Sequence, residues 1–129
     1  MGTLAAGQVV VPPFPFSDLS RKKLRPALLL ADAGSGDWIA CQITSDLAAV
    51  VVQPSSNGYA KLTSNPYADS RAITLADSEF VVGGLQRVSY LRPGKLFTCH
   101  ESLPVNTVGA LNKTALQQAR TAVIQMIQG

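Results

Sequence analysis

Four of the basic side chains fall within five positions of the chain, Arg21, Lys22, Lys23 and Arg25. Clustered cations attract polyanions, because each can neutralise one phosphate or carboxylate. The whole chain has 11 Lys and Arg against 8 Asp and Glu, a formal charge of +3 at pH 7. This modest excess permits a nucleic-acid partner without requiring one. We therefore expect an anionic ligand to bind at the basic cluster.

Two hydroxyl side chains, Thr44 and Ser45, follow the strand-like run WIACQI. A guanidinium such as that of Arg25 is planar, permanently charged and able to hold two phosphate oxygens, and hydroxyls can donate to the same group. Such a set suits the binding of a phosphate group and the stabilisation of charge that develops on it during a reaction. The general acid and base stay open: Asp46 is one candidate, and His100 is the single histidine.

The two cysteines, Cys41 and Cys99, each lie in or at the end of an apolar run. We expect two buried thiols and no disulfide. His100 follows Cys99, but this pair lacks the further ligands of a structural zinc site, so we predict no metal and no cofactor. No run reaches the ~20 apolar residues of a membrane span, and residues 1–7 lack a secretory signal. We therefore expect a cytoplasmic protein without membrane contact.

The composition and the apolar pattern favour one mainly β domain over residues 1–129. With 47% hydrophobic and 15% charged residues, the chain is apolar enough to form a packed core. Strand-like runs are separated by the turn signals DAGSGD (residues 32–37) and RPGK (residues 92–95). These patterns predict a curved antiparallel sheet with strands over 9–11, 25–31, 38–44, 72–75, 87–91 and 96–99. Residues 25–31 are apolar on both faces and predict a central strand.

The C-terminal residues change to a helical period. Asn112 is suited to cap a helix, in which an apolar stripe recurs at Leu116, Ala119, Val123 and Ile127, widened by Ile124. We also predict a short helical turn before it, at Leu103, Val105 and Val108. The helix is expected to pack on the sheet.

Four segments, in this order, resemble the PemK/MazF-type toxins of type II toxin–antitoxin systems: GQVVVPPFPFSDLSRKKLRPALLLA, CQITS, GGLQRVSYLRPGKLFT and VGAL ahead of a terminal helix. The resemblance covers nearly the whole chain. It implies a small Src-homology-3-like antiparallel barrel of the CcdB/PemK/MazF type with a C-terminal helix. It also implies a homodimeric, metal-independent endoribonuclease that cleaves single-stranded RNA.

The same resemblance assigns roles to individual residues. It implies a catalytic site at Arg25, Thr44 and Ser45. It implies contacts to RNA and to a cognate antitoxin in the preceding loop, where the RNA-binding residues would be Phe16, Ser17, Arg21, Lys22 and Lys23. The antitoxin would cover the RNA groove, and DNA would be reached only through the toxin–antitoxin complex.

Two other functions fit the same fold. A CcdB-type relative would poison a topoisomerase and cut nothing, and it would need neither Arg25 nor Thr44. A non-catalytic binding module would keep only the antitoxin-like partner. The second alternative stays open because Gln8 stands where the family often has Asp, so a local charge is missing.

Overall fold

The computed structural model describes residues 4–12, 25–45, 71–85, 89–104 and 106–129. Within these ranges the chain forms seven strands and, at its C-terminus, one α-helix. A single turn of 3-10 helix, Asp77–Glu79, separates β4 from β5. The elements are β1 (Gln8–Val10), β2 (Ala27–Gly34), β3 (Asp37–Thr44), β4 (Ile73–Leu75), β5 (Phe80–Gly83), β6 (Ser89–His100), β7 (Thr107–Leu111) and α1 (Lys113–Gln128).

The strands form one antiparallel sheet in the order β4-β6-β3-β2-β1-β7-β5, and this sheet must curl. Its two edges, β4 and β5, are consecutive in the chain. The backbone from Leu75 to Phe80 reaches at most about 17 Å, whereas the edges of a flat seven-stranded sheet lie roughly 29 Å apart. Leu75 and Phe80 accordingly pack against one hydrophobic cluster. The predicted curved, mainly β fold with a C-terminal helix is confirmed.

The central strand is β2, as its sequence predicted. Leu28 and Leu30 join the core cluster beneath α1, whereas Ala27 and Leu29 join a second cluster on the other face. The hairpin to β3 is tighter than predicted, because only Ser35 and Gly36 form its turn. Both have positive φ angles, 56° and 81°, which suits the twist of a two-residue hairpin.

Helix α1 begins where predicted, because the Asn112 Oδ1 accepts a 2.8 Å hydrogen bond from the Ala115 amide. Its buried line consists of Ala115, Ala119 and Val123. The apolar stripe is not buried along its whole length, since Ile124 is 50% and Ile127 71% exposed. Ile124 lies about 100° round the helix from Val123, and Ile127 lies in the last turn. No helix of the described residues has the length and apolarity to cross a membrane.

The predicted helical turn over residues 103–108 is also wrong. Val108 belongs to β7, which pairs with both β1 and β5, and Val105 lies outside the described residues. The partner strand β5 was not predicted at all. In this pair Gly83 lies opposite Gly109, and glycine in both strands obscures the alternation of apolar and polar side chains that identifies a strand.

The predicted turn at residues 92–95 proves to be a bulge inside the single long strand β6. Leu91 lies opposite Ile43 and Leu96 opposite Cys41, so four residues of β6 face Gln42 alone. Pro93 has no backbone N–H for a ladder bond, and in the bulge it is fully buried. The Pro-Gly signal therefore marks a departure from the ladder and not a reversal of the chain.

Both cysteines are buried free thiols, as predicted. They belong to different clusters on opposite faces of the sheet, Cys41 beneath α1 and Cys99 beside Trp38. Burial, helped by the nearby negative charge of Asp37, raises the pKa of the Cys99 thiol above its ordinary value of 9.0. The thiol therefore stays protonated in the folded protein over a wider pH range than in the unfolded chain.

This shift predicts a loss of stability in alkali. Above pH 9.0 the unfolded thiol ionises while the buried one does not, so the unfolded state binds fewer protons and gains stability as pH rises. Denaturant titrations at pH 7 to 10 should show the stability gap between wild type and Cys99→Ala narrowing above pH 9. The limiting slope is about 1.4 kcal/mol for each pH unit. A gap that stays constant over this range would contradict the assignment.

A second prediction concerns the close approach of β5 and β7. A Cβ on Gly109 would lie 2.6 Å from the Val82 carbonyl oxygen, whereas one on Gly94 would meet only the Met126 Sδ at 3.7 Å. Gly109→Ala should therefore cost about 1–3 kcal/mol of unfolding free energy. The matched control Gly94→Ala should cost less than about 1 kcal/mol. Urea denaturation measures both, and equal costs would argue against the packing described.

Candidate nucleic-acid interface

The pairing of β2 with β3 brings the first two candidate residues together. Ala27 lies opposite Gln42, and the Pro26 carbonyl accepts a 3.0 Å hydrogen bond from the Ile43 amide. The same register, continued to the start of β2, sets Arg25 across from Thr44. Residues opposite each other in antiparallel strands project from the same face of the sheet. Two side chains separated by 18 residues in the chain thus become neighbours.

The row continues across two further strands. Thr44 pairs with Tyr90 of β6, and Tyr90 pairs with Thr74 of β4. We call Arg25, Thr44, Tyr90 and Thr74 the polar row. It offers a guanidinium, two aliphatic hydroxyls and a phenol side by side, all of them hydrogen-bond donors.

The polar row lies on the face of the sheet turned away from α1. Along β3, Cys41 and Ile43 belong to the cluster beneath the helix. Trp38 and Ala40 belong to the opposite cluster, and Thr44 shares their parity on the strand. This face is therefore apolar beside the β2–β3 turn and becomes polar towards the end of β3.

Burial differs along the candidate residues. Thr44 is only 4% exposed, Arg25 is half-buried, and Ser45 is exposed just beyond the end of β3. A buried hydroxyl on a central strand is held in place by its surroundings. A half-buried guanidinium next to it can interact with both the sheet and a ligand from solvent.

A further polar pair adjoins the row, and the sequence analysis missed it. Arg92 Nη1 donates a 3.4 Å hydrogen bond to the Oε1 of Gln42, and Gln42 is 5% exposed. The Cys41 thiol donates to the Arg92 carbonyl at 2.9 Å. The interpretation of residues 92–95 as a surface turn concealed Arg92. The signal that could have revealed it is Gln42 itself, because an amide among buried apolar neighbours needs a polar partner.

His100 lies at the opposite end of the sheet. It pairs with Asp37, beside the β2–β3 turn, and its Nδ1 lies 2.8 Å from the Ser102 Oγ. Seven residue steps along β3 separate Asp37 from Thr44, which is about 23 Å. His100 therefore takes no part in chemistry at the polar row. Asp46, the other acid–base candidate, lies outside the described residues.

The five predicted RNA-binding residues also lie outside the described residues, so their roles stay predictions; they are Phe16, Ser17, Arg21, Lys22 and Lys23. Within the described ranges, no three His, Cys, Asp or Glu side chains come together as a set that could hold a metal ion. The described part of the site consists of neutral and cationic donors, which suit an anionic ligand.

Comparison with solved structures identifies the architecture. MazF (Form-I) of Deinococcus radiodurans superposes with a TM-score of 0.64 at 17% identity, and all of both chains is covered. An endoribonuclease from Mycobacterial species gives 0.63 at 14% identity, over 99% of this chain and 94% of that one. The chain has the MazF fold. A third structure, an endoribonuclease in complex with its cognate antitoxin from Mycobacterial species, gives 0.62 at 11% identity, over 99% and 96% of the two chains.

Comparison by sequence finds no relative of this chain, in contrast to comparison by structure. No family model matches the chain, and no curated protein matches it. The MazF fold is thus shared at 11–17% sequence identity, so most individual side chains differ between these structures and this chain. The polar row of this MazF-fold chain is accordingly defined by its own register and not by alignment.

Proposed function

We propose that this chain is the toxin component of a type II toxin–antitoxin system and acts as a metal-independent endoribonuclease on single-stranded RNA. The observation that carries the proposal is the register of β2 and β3. Continued by two residues, this register sets Arg25 across from Thr44 on the sheet face turned away from α1. The MazF fold supports it, because the similar structures are described as endoribonucleases.

Arg25, Thr44 and Ser45 would act on the scissile phosphate. The 2′-oxygen attacks phosphorus, the bond from phosphorus to the 5′-oxygen breaks, and one proton passes from the 2′-hydroxyl to the leaving 5′-oxygen. The Arg25 guanidinium would hold two non-bridging oxygens, with hydrogen bonds from Thr44 and Ser45 to the same group. Donors that bind the phosphorane better than the ground-state phosphate lower the barrier. The products are a 2′,3′-cyclic phosphate and a 5′-hydroxyl.

The proposed partners follow from the same surface. One similar structure is an endoribonuclease in complex with its cognate antitoxin, which supports an antitoxin partner for this chain. We propose that the antitoxin would neutralise the toxin by covering the groove that binds RNA. We propose a homodimer in the cytoplasm that reaches DNA only through the toxin–antitoxin complex. The basic loop of Arg21, Lys22 and Lys23 would contact either the RNA or the antitoxin.

The two alternative functions are less well supported. The similar structures described by activity are endoribonucleases and not topoisomerase poisons. The binding module was left as an alternative because Gln8 lacks the charge that the family often has at this position. In the structure the Gln8 side chain has a local structural role. The Gln8 Oε1 accepts a 3.1 Å hydrogen bond from the Ala5 amide and holds the turn that leads into β1.

Cleavage tests the mechanism directly. Arg25→Ala should lower cleavage of a long single-stranded RNA, measured in EDTA with mapping of fragment ends, by a hundredfold or more, on the order of 3 kcal/mol. Arg25→Lys should recover little, because a point charge cannot reproduce the two-pronged contact. Thr44→Ala should lose less, since one hydroxyl is removed while the cation stays.

The control is Lys113→Gln, which removes one positive charge from the exposed first turn of α1. Its cleavage rate should match that of the wild type. Full activity of Arg25→Ala, or activity that requires added metal, would overturn this mechanism. A wild type that binds RNA or an antitoxin but cleaves no RNA would favour the binding module.

The basic loop has its own test. Replacement of Arg21, Lys22 and Lys23 together by Ala should weaken RNA binding and flatten its dependence on salt, because fewer counterions are released. Fluorescence anisotropy with a labelled RNA in rising KCl measures both quantities. An unchanged salt slope would show that the loop does not contact RNA and would favour the antitoxin as its partner.

A further inference from the structure

Arg92 is the second guanidinium on the face that carries the polar row. Its Nη1 donates to the Gln42 side chain, and Gln42 shares a face with Thr44 because the two residues are two positions apart on β3. Arg25 belongs to the β2 side of β3, and Arg92 belongs to the β6 side. The Gln42–Thr44 stretch thus lies between two arginines.

The chain anchors Arg92 at both its backbone and its side chain. The Cys41 thiol donates to the Arg92 carbonyl at 2.9 Å, and the neighbouring Pro93 is fully buried. Gln42, 5% exposed, accepts from the guanidinium. An arginine held in this way loses little side-chain entropy when a ligand binds. Its half-buried position strengthens the interaction with an anion, because water screens the charge less.

Arg92 lies at Gln42 and not at Thr44, where the proposed mechanism would place the scissile phosphate. Gln42 and Thr44 differ by about 6.6 Å along β3, which is of the order of the distance between successive phosphates of an extended strand. A guanidinium at Gln42 is therefore placed for a neighbouring phosphate of the same strand. The bulge at residues 92–95 makes this possible, since it lets one long strand insert an arginine beside a single residue of β3.

We propose that Arg92, oriented by Gln42, forms a second phosphate subsite that binds an RNA phosphate next to the one at the bond that is cut. This inference rests on the proposed ribonuclease function and adds a binding contact to it. Arg92 would contact the substrate away from the reacting atoms, and Gln42 would be a positioning residue. The subsite should lower KM without changing kcat, because it binds the substrate and the transition state equally.

The experiment compares Arg92→Gln, Gln42→Leu and Arg92→Lys with the wild type on two RNAs. Binding is measured by fluorescence anisotropy with an oligonucleotide carrying 2′-O-methyl riboses, which lacks the nucleophile. Cleavage is measured with the unmodified oligonucleotide. Lys113→Gln on α1 is the matched control, because it also replaces one cation by Gln but on the other side of the sheet.

Arg92→Gln should weaken binding roughly tenfold, as expected for one charge-assisted hydrogen-bonding group. The slope of log affinity against log salt should fall by about 0.7, the value for one phosphate of a single strand. KM should rise by a similar factor while kcat stays within about twofold. Arg92→Lys should keep the salt slope and part of the affinity. Gln42→Leu should weaken binding with an unchanged salt slope, since the cation remains but is no longer oriented.

Each outcome decides the inference. If the wild type cleaves RNA and Arg92→Gln keeps the wild-type KM and salt slope, the subsite is wrong while the ribonuclease function stands. If the wild type binds the RNA through Arg92 but never cleaves, the ribonuclease function fails and only the contact of Arg92 with an RNA phosphate stands. If the wild type does not bind RNA, both fail. Should Arg92→Gln lower the melting temperature by more than a few degrees, Arg92→Lys decides, and an RNA affinity equal to that of the wild type there would contradict the subsite.

Discussion

The short connection between the two edge strands controls the shape of the molecule. Between the end of β4 and the start of β5 the chain has four residues, Ala76 to Glu79, which is too little to span a flat sheet of seven strands. The connection is itself held firmly. The side-chain carboxylate of Glu79 accepts a 3.0 Å hydrogen bond from the Ala76 amide. The backbone carbonyl of Glu79 accepts a 2.7 Å hydrogen bond from the Asn112 amide. Asn112 in turn caps α1, so closure of the sheet and the start of the helix share one set of hydrogen bonds.

Closure of this kind decides which face of each strand can carry chemistry. The face enclosed with α1 holds the larger apolar cluster, and an uncompensated polar group there would cost several kcal/mol. The other face has its own apolar cluster around Trp38 and Leu29. Along β3 this cluster ends at Ala40, before Gln42 and Thr44. The polar residues of β3 are tolerated at this end because partners from β6 reach them, as Arg92 does for Gln42.

The features that depend on local pattern could be predicted from the sequence. Strand β2 was predicted as central from its continuous apolar run, and the Asn112 cap from its side chain, because both signals are contained in a few consecutive residues. The juxtaposition of Arg25 and Thr44 was expected from motif resemblance, and the register of β2 and β3 supplies its physical basis. The failures are equally specific. Pro93-Gly94 indicates a turn and a bulge equally well, and only the pairing of Cys41 with Leu96 distinguishes them.

Gly83 and Gly109 show why a strand can escape prediction from the sequence. The absence of side chains at these glycines lets β5 and β7 approach closely, since a Cβ on Gly109 would come 2.6 Å from the Val82 carbonyl oxygen. Propensity scales treat glycine as a poor strand residue, yet here it is required by close backbone approach. The requirement for glycine arises from the contact between two strands that are far apart in the chain. No pattern of consecutive residues reveals it.

Under the proposed function, the two arginines beside β3 would separate substrate binding from catalysis on one surface. Arg25 stands next to Thr44, where charge would develop on the reacting phosphate, so its interaction strengthens as the reaction proceeds. Arg92 is hydrogen-bonded to Gln42, two positions away along β3, where a bound phosphate would keep its charge throughout the reaction. An electrostatic contact of unchanging strength holds the strand in register but does not lower the barrier. Alignment of a flexible RNA needs both kinds of contact, because a single gripped phosphate leaves the 2′-oxygen free to rotate away from in-line attack.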